Sequence, residues 1–88
     1  MATYQIKTWT FADGIEPRVV IRKRLDSAHL AFRRAVWDVL ESHGLRDTQA
    51  GHAAMTMADD IANGFVREES SMGVANTGFA VVIRKLES

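Results

Sequence analysis

The stretch from Leu25 to Gly44 carries the punctuation of one long amphipathic helix at both ends, and a second helical pattern follows after only a short link. Asp26 is the expected N-cap, its carboxylate placed to accept from the free backbone amides, and Leu25 with Leu30 has the spacing of a hydrophobic staple. At the far end, His43-Gly44-Leu45 reads as a Schellman ending, with Gly44 left-handed and Leu45 packing back on Leu40. The helix so bounded covers about residues 27–43. Helical stepping gathers Ala28, Phe32, Ala35, Val36, Val39, Leu40 and His43 on one side. Arg33, Arg34, Asp38 and Glu41 fall opposite, together with Trp37, which breaks the pattern.

The second helix is expected to begin at Asp47 or Thr48 and to reach about Asn63-Gly64. Its predicted buried side is Ala50, Ala53, Ala54, Met57, Ala58 and Ile61, continued by Phe65. Its wet side is His52, Thr56, Asp59 and Asn63. So many small residues permit close approach, and a link this short folds two helices into an antiparallel hairpin. Such a hairpin has an apolar side to bury, so another layer is required.

Strands supply it. TYQIKTWTF alternates from Thr3, with Tyr4, Ile6 and Thr8 on one side and Gln5, Lys7 and Trp9 on the other. Asp13-Gly14 suits a two-residue type I′ turn, which would set Ile6 opposite Ile21 and Trp9 opposite Arg18, although Pro17 suggests a bulge or longer loop. After Gly78, FAVVIRKL reads as a further strand, with Phe79, Val81 and Ile83 facing one way and Ala80, Val82, Arg84 and Leu86 the other. Residues Arg67 to Thr77 are the least periodic stretch and read as a mobile loop.

The expected fold is therefore α+β: a two-layer sandwich in the order β-β-α-α-β, a three-stranded antiparallel sheet covered on one face by the helical hairpin. One domain spans residues 1–88, since a chain of 88 residues has room for one core. VVIRK occurs twice, at Val19 to Lys23 and Val81 to Lys85. The copies read as neighbouring antiparallel strands with Ile21 opposite Ile83. Arg22 then lies across from Val82, and Arg84 across from Val20, so like charges are staggered. The open face of such a sheet would show Lys7, Trp9, Arg18, Arg22, Arg24 and Arg84.

Composition narrows the function classes. Without cysteine there is no disulfide framework and no thiolate zinc site, so a reducing, cytoplasmic setting is expected. No apolar run is long enough to span a bilayer, and no membrane association is expected. Eleven basic and eleven acidic residues cancel, yet they segregate. Arg18, Arg22, Lys23, Arg24, Arg33 and Arg34 stand against Asp26 alone. Asp38, Glu41, Asp47, Asp59, Asp60, Glu68 and Glu69 then stand against Arg46 and Arg67. The plain account is two solvated faces of opposite sign; the sharper one is a dipolar docking surface.

No catalytic set, Gly-rich phosphate loop or HExxH pattern occurs, so no enzymatic activity, cofactor or metal is expected. His52, Asp59 and Asp60 are the best candidates for such chemistry, but His52 and Asp59 lie about ten ångströms apart along a helix, too far to share a metal. His43 is explained by the helix end, where imidazole suits the dipole. What remains is a small interaction protein that binds another protein. It would act as a regulator or inhibitor of a larger complex, of the phage- or plasmid-borne kind that includes anti-CRISPR proteins, with a homodimer as one form. Trp37 among Arg33, Arg34 and Glu41 has the composition of an interface anchor. The alternative is that the arginine-rich sheet face takes single-stranded nucleic acid or another polyanion, with Trp9 as a stacking platform.

Overall fold

Gly44 ends the first helix by the predicted route. Its φ of 67° is left-handed, the Leu45 amide donates back to the Leu40 carbonyl at 2.9 Å, and the Gly44 amide to Glu41 at 3.1 Å. These are the two bonds of a Schellman motif, which satisfy carbonyls the helix would otherwise leave open. The computed structural model of the chain describes residues 3–12, 14–64, 69–74 and 77–86. Within them α1 runs Leu25–Ser42 and α2 runs Gln49–Asn63. Thr48 caps α2, its hydroxyl accepting from the Gly51 amide at 3.0 Å.

The strands are β1 (Thr3–Thr10), β2 (Arg18–Arg22), β3 (Glu69–Val74) and β4 (Phe79–Leu86), in a single antiparallel sheet ordered β2-β1-β4-β3. The fold is the expected α+β sandwich, with four strands where three are predicted. The added strand β3 occupies part of the stretch read as a loop. Its sequence ESSMGV is too polar and glycine-containing to announce a strand, but its alternation is complete: Met72 and Val74 are buried while Glu69, Ser71 and Gly73 are exposed. Pairing with β4 supplies what propensity lacks. Through its thinnest dimension the Cα trace measures 16 Å, one sheet and one helix layer, so one sheet face stays uncovered.

Two expectations about pairing are corrected. Ile6 lies opposite Val20, not Ile21, and Thr8 lies opposite Arg18. A one-residue slip turns every side chain of a strand to the other face. Val20 therefore packs on the core, while Val19 and Ile21 face outward. A two-residue turn cannot give this register. The connection is wider, from Phe11 to Pro17, with Gly14 at a φ of 81°, and Asp13 lies outside the described residues. The two VVIRK strands are not neighbours either, because β1 runs between them. Ile6 is flanked by Val20 on one side and Ile83 on the other, which makes the two copies parallel.

The core consists of Ile6, Phe32, Val36, Val39, Leu40, Met72, Val74, Val81 and Ile83 with the alanines Ala28, Ala54, Ala58 and Ala62. On α1 the predicted side is the buried one, apart from a partly buried Ala35 and an exposed His43. Its imidazole Nδ1–H donates to the Val39 carbonyl at 2.9 Å and the ring meets Phe79 edge-on at 5.5 Å. On α2 the buried stripe is Gly51, Ala54, Ala58 and Ala62, which leaves Ala53 and Met57 exposed. The buried stripe is thus rotated from its predicted setting, and Gly51 lies against the Leu45 carbonyl in the link before it, where a β-carbon would not fit. The predicted continuation at Phe65 lies outside the described residues.

Candidate interaction surface

The N-terminus of α1 differs from the expected cap. The helix begins at Leu25, so Asp26 sits inside its first turn and Arg24 is the residue before it, with no side-chain cap. Asp26 accepts from its neighbour, the Ser27 amide, at 2.9 Å and pairs with Arg24 at 3.0 Å. The Ser27 hydrogen bond, followed by the Arg24 charge, holds its carboxyl below the usual aspartate range. Arg24 is thus a helix-end partner and does not belong to the open sheet face. Leu25 and Leu30 are both exposed, so the predicted staple does not form a buried contact.

On the helix side, the residues expected to bind a partner are engaged within the chain. Arg33 reaches across to Asp59 on α2 at 3.4 Å, and Arg34 pairs with Asp38 at 3.1 Å. Glu41 meets Arg46 at 3.7 Å. Trp37 is half-buried, and the Arg46 guanidinium lies over its ring at 5.9 Å from the centroid. The inter-helix link therefore covers the tryptophan that broke the pattern of α1. A shallow depression remains between the helices, lined by Leu30, Arg33, Trp37, Met55 and Asp59.

The open sheet face is less basic than predicted. Lys7, Trp9 and Arg84 lie on it, but Arg84 is held by Glu69 of β3, Nε to carboxylate at 2.7 Å. Trp9 packs edge-on against Phe11 with ring centroids 4.6 Å apart. Between them stand Val19, Ile21, Ala80 and Val82, all at least partly exposed. Among the described residues that face is largely apolar, with Lys7, the Arg84–Glu69 ion pair and the uncharged Gln5 and Ser71. That outcome follows from the register, since the slip exchanges Arg18 and Arg22 for Val19 and Ile21.

Arg18 and Arg22 turn instead toward the helix side. There they line a cavity of about 390 Å³ together with Ile6, Val20, Ala31, Ala35, Val39 and Phe79 on its floor. Arg34, Asp38, Ile15, Glu16, Thr8 and Ser42 also line it. Arg34 and Asp38 neutralise each other. Arg18 has no hydrogen-bond or ion-pair partner among the described residues, and Arg22 donates only to the backbone carbonyl of Ile21 at 2.9 Å. The structure thus joins one arginine from the predicted helix site to two from the predicted sheet site. The sequence showed the charges but not the phase of an unbroken Val-Val-Ile run, which fits either face.

Among the described residues, no three His, Asp or Glu side chains come together as a metal set, and no helix is long and apolar enough to cross a membrane. Comparison of the chain with protein-family models, curated proteins and solved structures finds no match, so this surface is read from its own residues.

Proposed function

We propose that this chain is a small non-enzymatic interaction protein that binds another protein, as a regulator or inhibitor of a larger complex, through the surface around β2. One observation carries the reading. Phe11, Val19 and Ile21 are 83%, 48% and 47% exposed, with Val19 and Ile21 on the open sheet face, and Ile15, 50% exposed, lines the groove behind the β2 edge. Single exposed apolar residues are ordinary, but a cluster on an uncovered sheet face and edge is the composition of a docking surface. Trp9 adds an aromatic anchor to it. The helix face centred on Trp37 is the weaker candidate, because its charged groups already have partners within the chain.

Nucleic acid is favoured less by this arrangement. Arg18 and Arg22 face the helix side and Arg84 is paired, so the open face keeps Lys7 as its unpaired cation among the described residues. The test is affinity capture from cells that produce the protein, using the natural chain and an Ile21→Asp variant shown by circular dichroism to be folded. A partner recovered by the first and lost by the second supports the reading. Identical capture by both overturns it, and light scattering separates a second copy of the chain from a foreign partner.

A further inference from the structure

The β2 edge is the part of this surface with the most specific chemistry. β2 is an outer strand of the sheet, and nothing among the described residues pairs with its far side. An unpaired edge presents backbone donors and acceptors whose natural complement is another extended backbone. Along the groove-facing side of β2 the order is Arg18, Val20, Arg22, and along the open-face side it is Val19, Ile21. Directly opposed residues on neighbouring strands point to the same face and interact in pairs.

We propose that β2 accepts an added antiparallel strand from a partner protein whose sequence reads acidic, three apolar residues, acidic. The two carboxylates lie opposite Arg18 and Arg22 on the groove side. The central apolar residue lies opposite Val20 above the cavity floor, and the two flanking it pair with Val19 and Ile21. This assignment rests on the protein-binding reading above and names the partner's chemistry.

Charge selects the occupant. Of the groove's five charged residues, Arg34 and Asp38 cancel, leaving Arg18 and Arg22 against Glu16. A second copy of β2 is a poor fit: antiparallel self-pairing centred on Val20 sets Arg18 against Arg22 at both ends, and opposed like charges are destabilising. Inward-facing charges of this kind prevent indiscriminate edge pairing, and here they leave the edge open to an oppositely charged strand.

The experiment uses a fluorescent peptide with Glu-Val-Val-Val-Glu between Gly-Ser and Ser-Gly ends, and two relatives with both Glu replaced by Gln or by Lys. Binding is followed by anisotropy, and amide shifts in the labelled protein locate it. The Glu peptide is expected to bind and to shift the amides of β2. The Gln peptide should bind about fivefold or more weakly, and the Lys peptide should not bind. In an Arg18→Glu, Arg22→Glu protein the preference should reverse, so that the Lys peptide binds and the Glu peptide does not; this rescue guards against a variant that merely unfolds. Equal affinity for the Glu and Gln peptides, shifts confined to other elements, or no binding at millimolar peptide overturns strand addition. If the peptides fail while partner capture still depends on Ile21, strand addition is wrong and the wider reading stands. If capture is indifferent to Ile21, the wider reading is the one that fails.

Discussion

Gly51 in the first turn of α2 lies so close to the Leu45 carbonyl that a β-carbon added there would overlap its oxygen. The same carbonyl accepts from the Thr48 amide at 3.1 Å and from the Thr48 hydroxyl at 2.6 Å, so it cannot easily move aside. Two effects of a Gly51→Ala change then oppose each other. Helix propensity gains about 1 kcal/mol, while a forced clash in a packed site costs about 1–3 kcal/mol. Because the obstacle is main chain held by two hydrogen bonds, the clash is expected to win. Denaturant unfolding should show a net loss of stability, and a gain would mean that the link is looser than described.

Met72 tests β3. It is 5% exposed and opposes Val81 across the β3–β4 ladder. Met72→Ala should lose about 2–4 kcal/mol, the usual range for truncating a buried methionine. Its outward neighbour Ser71 provides the control, since Ser71→Ala should stay within about 0.5 kcal/mol. Similar small effects at both positions would place this segment outside the sheet.

Arg46 over the Trp37 ring predicts a spectroscopic effect larger than its energetic one. The guanidinium is about half exposed and shared with Glu41 and Asp47, and exposed cation–π contacts contribute about 0.5–1 kcal/mol. Arg46→Ala should therefore shift Trp emission to longer wavelength as water reaches Trp37, with a stability change of no more than about 1 kcal/mol. A Trp9→Phe background leaves Trp37 as the sole tryptophan and assigns the signal.

Asp26 has a pH signature. Its folded pKa lies below the unfolded value, so its contribution to stability is present above the ordinary aspartate pKa and lost as pH falls through the lowered folded one. Carboxyl NMR titration should place its midpoint below that of an ordinary aspartate. Arg24→Ala should raise that midpoint only part of the way, because the Ser27 amide remains in place as the larger cause.

How far residues alone reach can be seen at the two sides of the sheet. The alternation of β1 was legible because each polar residue in TYQIKTW marks the phase of its neighbours. β2 carries Val-Val-Ile without interruption, so both phases bury two or one of them equally plausibly, and the arginines at its ends moved with that choice. β3 is hard to read from sequence for a related reason: two inward residues, Met72 and Val74, are a weak periodic signal beside two serines and a glycine. Trp37 broke the pattern of α1 visibly, yet what covers it, Arg46, lies in the link and is brought there by the fold.

Local chemistry is sufficient for the presence of the two helices, the ending at Gly44 and the alternation of β1 and β4, because each depends on residues within a turn or two of one another; it narrows the start of α2 to Asp47 or Thr48 and misplaces the cap of α1. Strand order, the register of β2, the rotation of α2 about Gly51 and the gathering of Arg18, Arg22 and Arg34 at one groove depend on which backbones meet. Those choices are settled by packing across the core, where Ile6 takes Val20 on one side and Ile83 on the other, and a shift of one residue exchanges the exposed face of a strand for its hidden one.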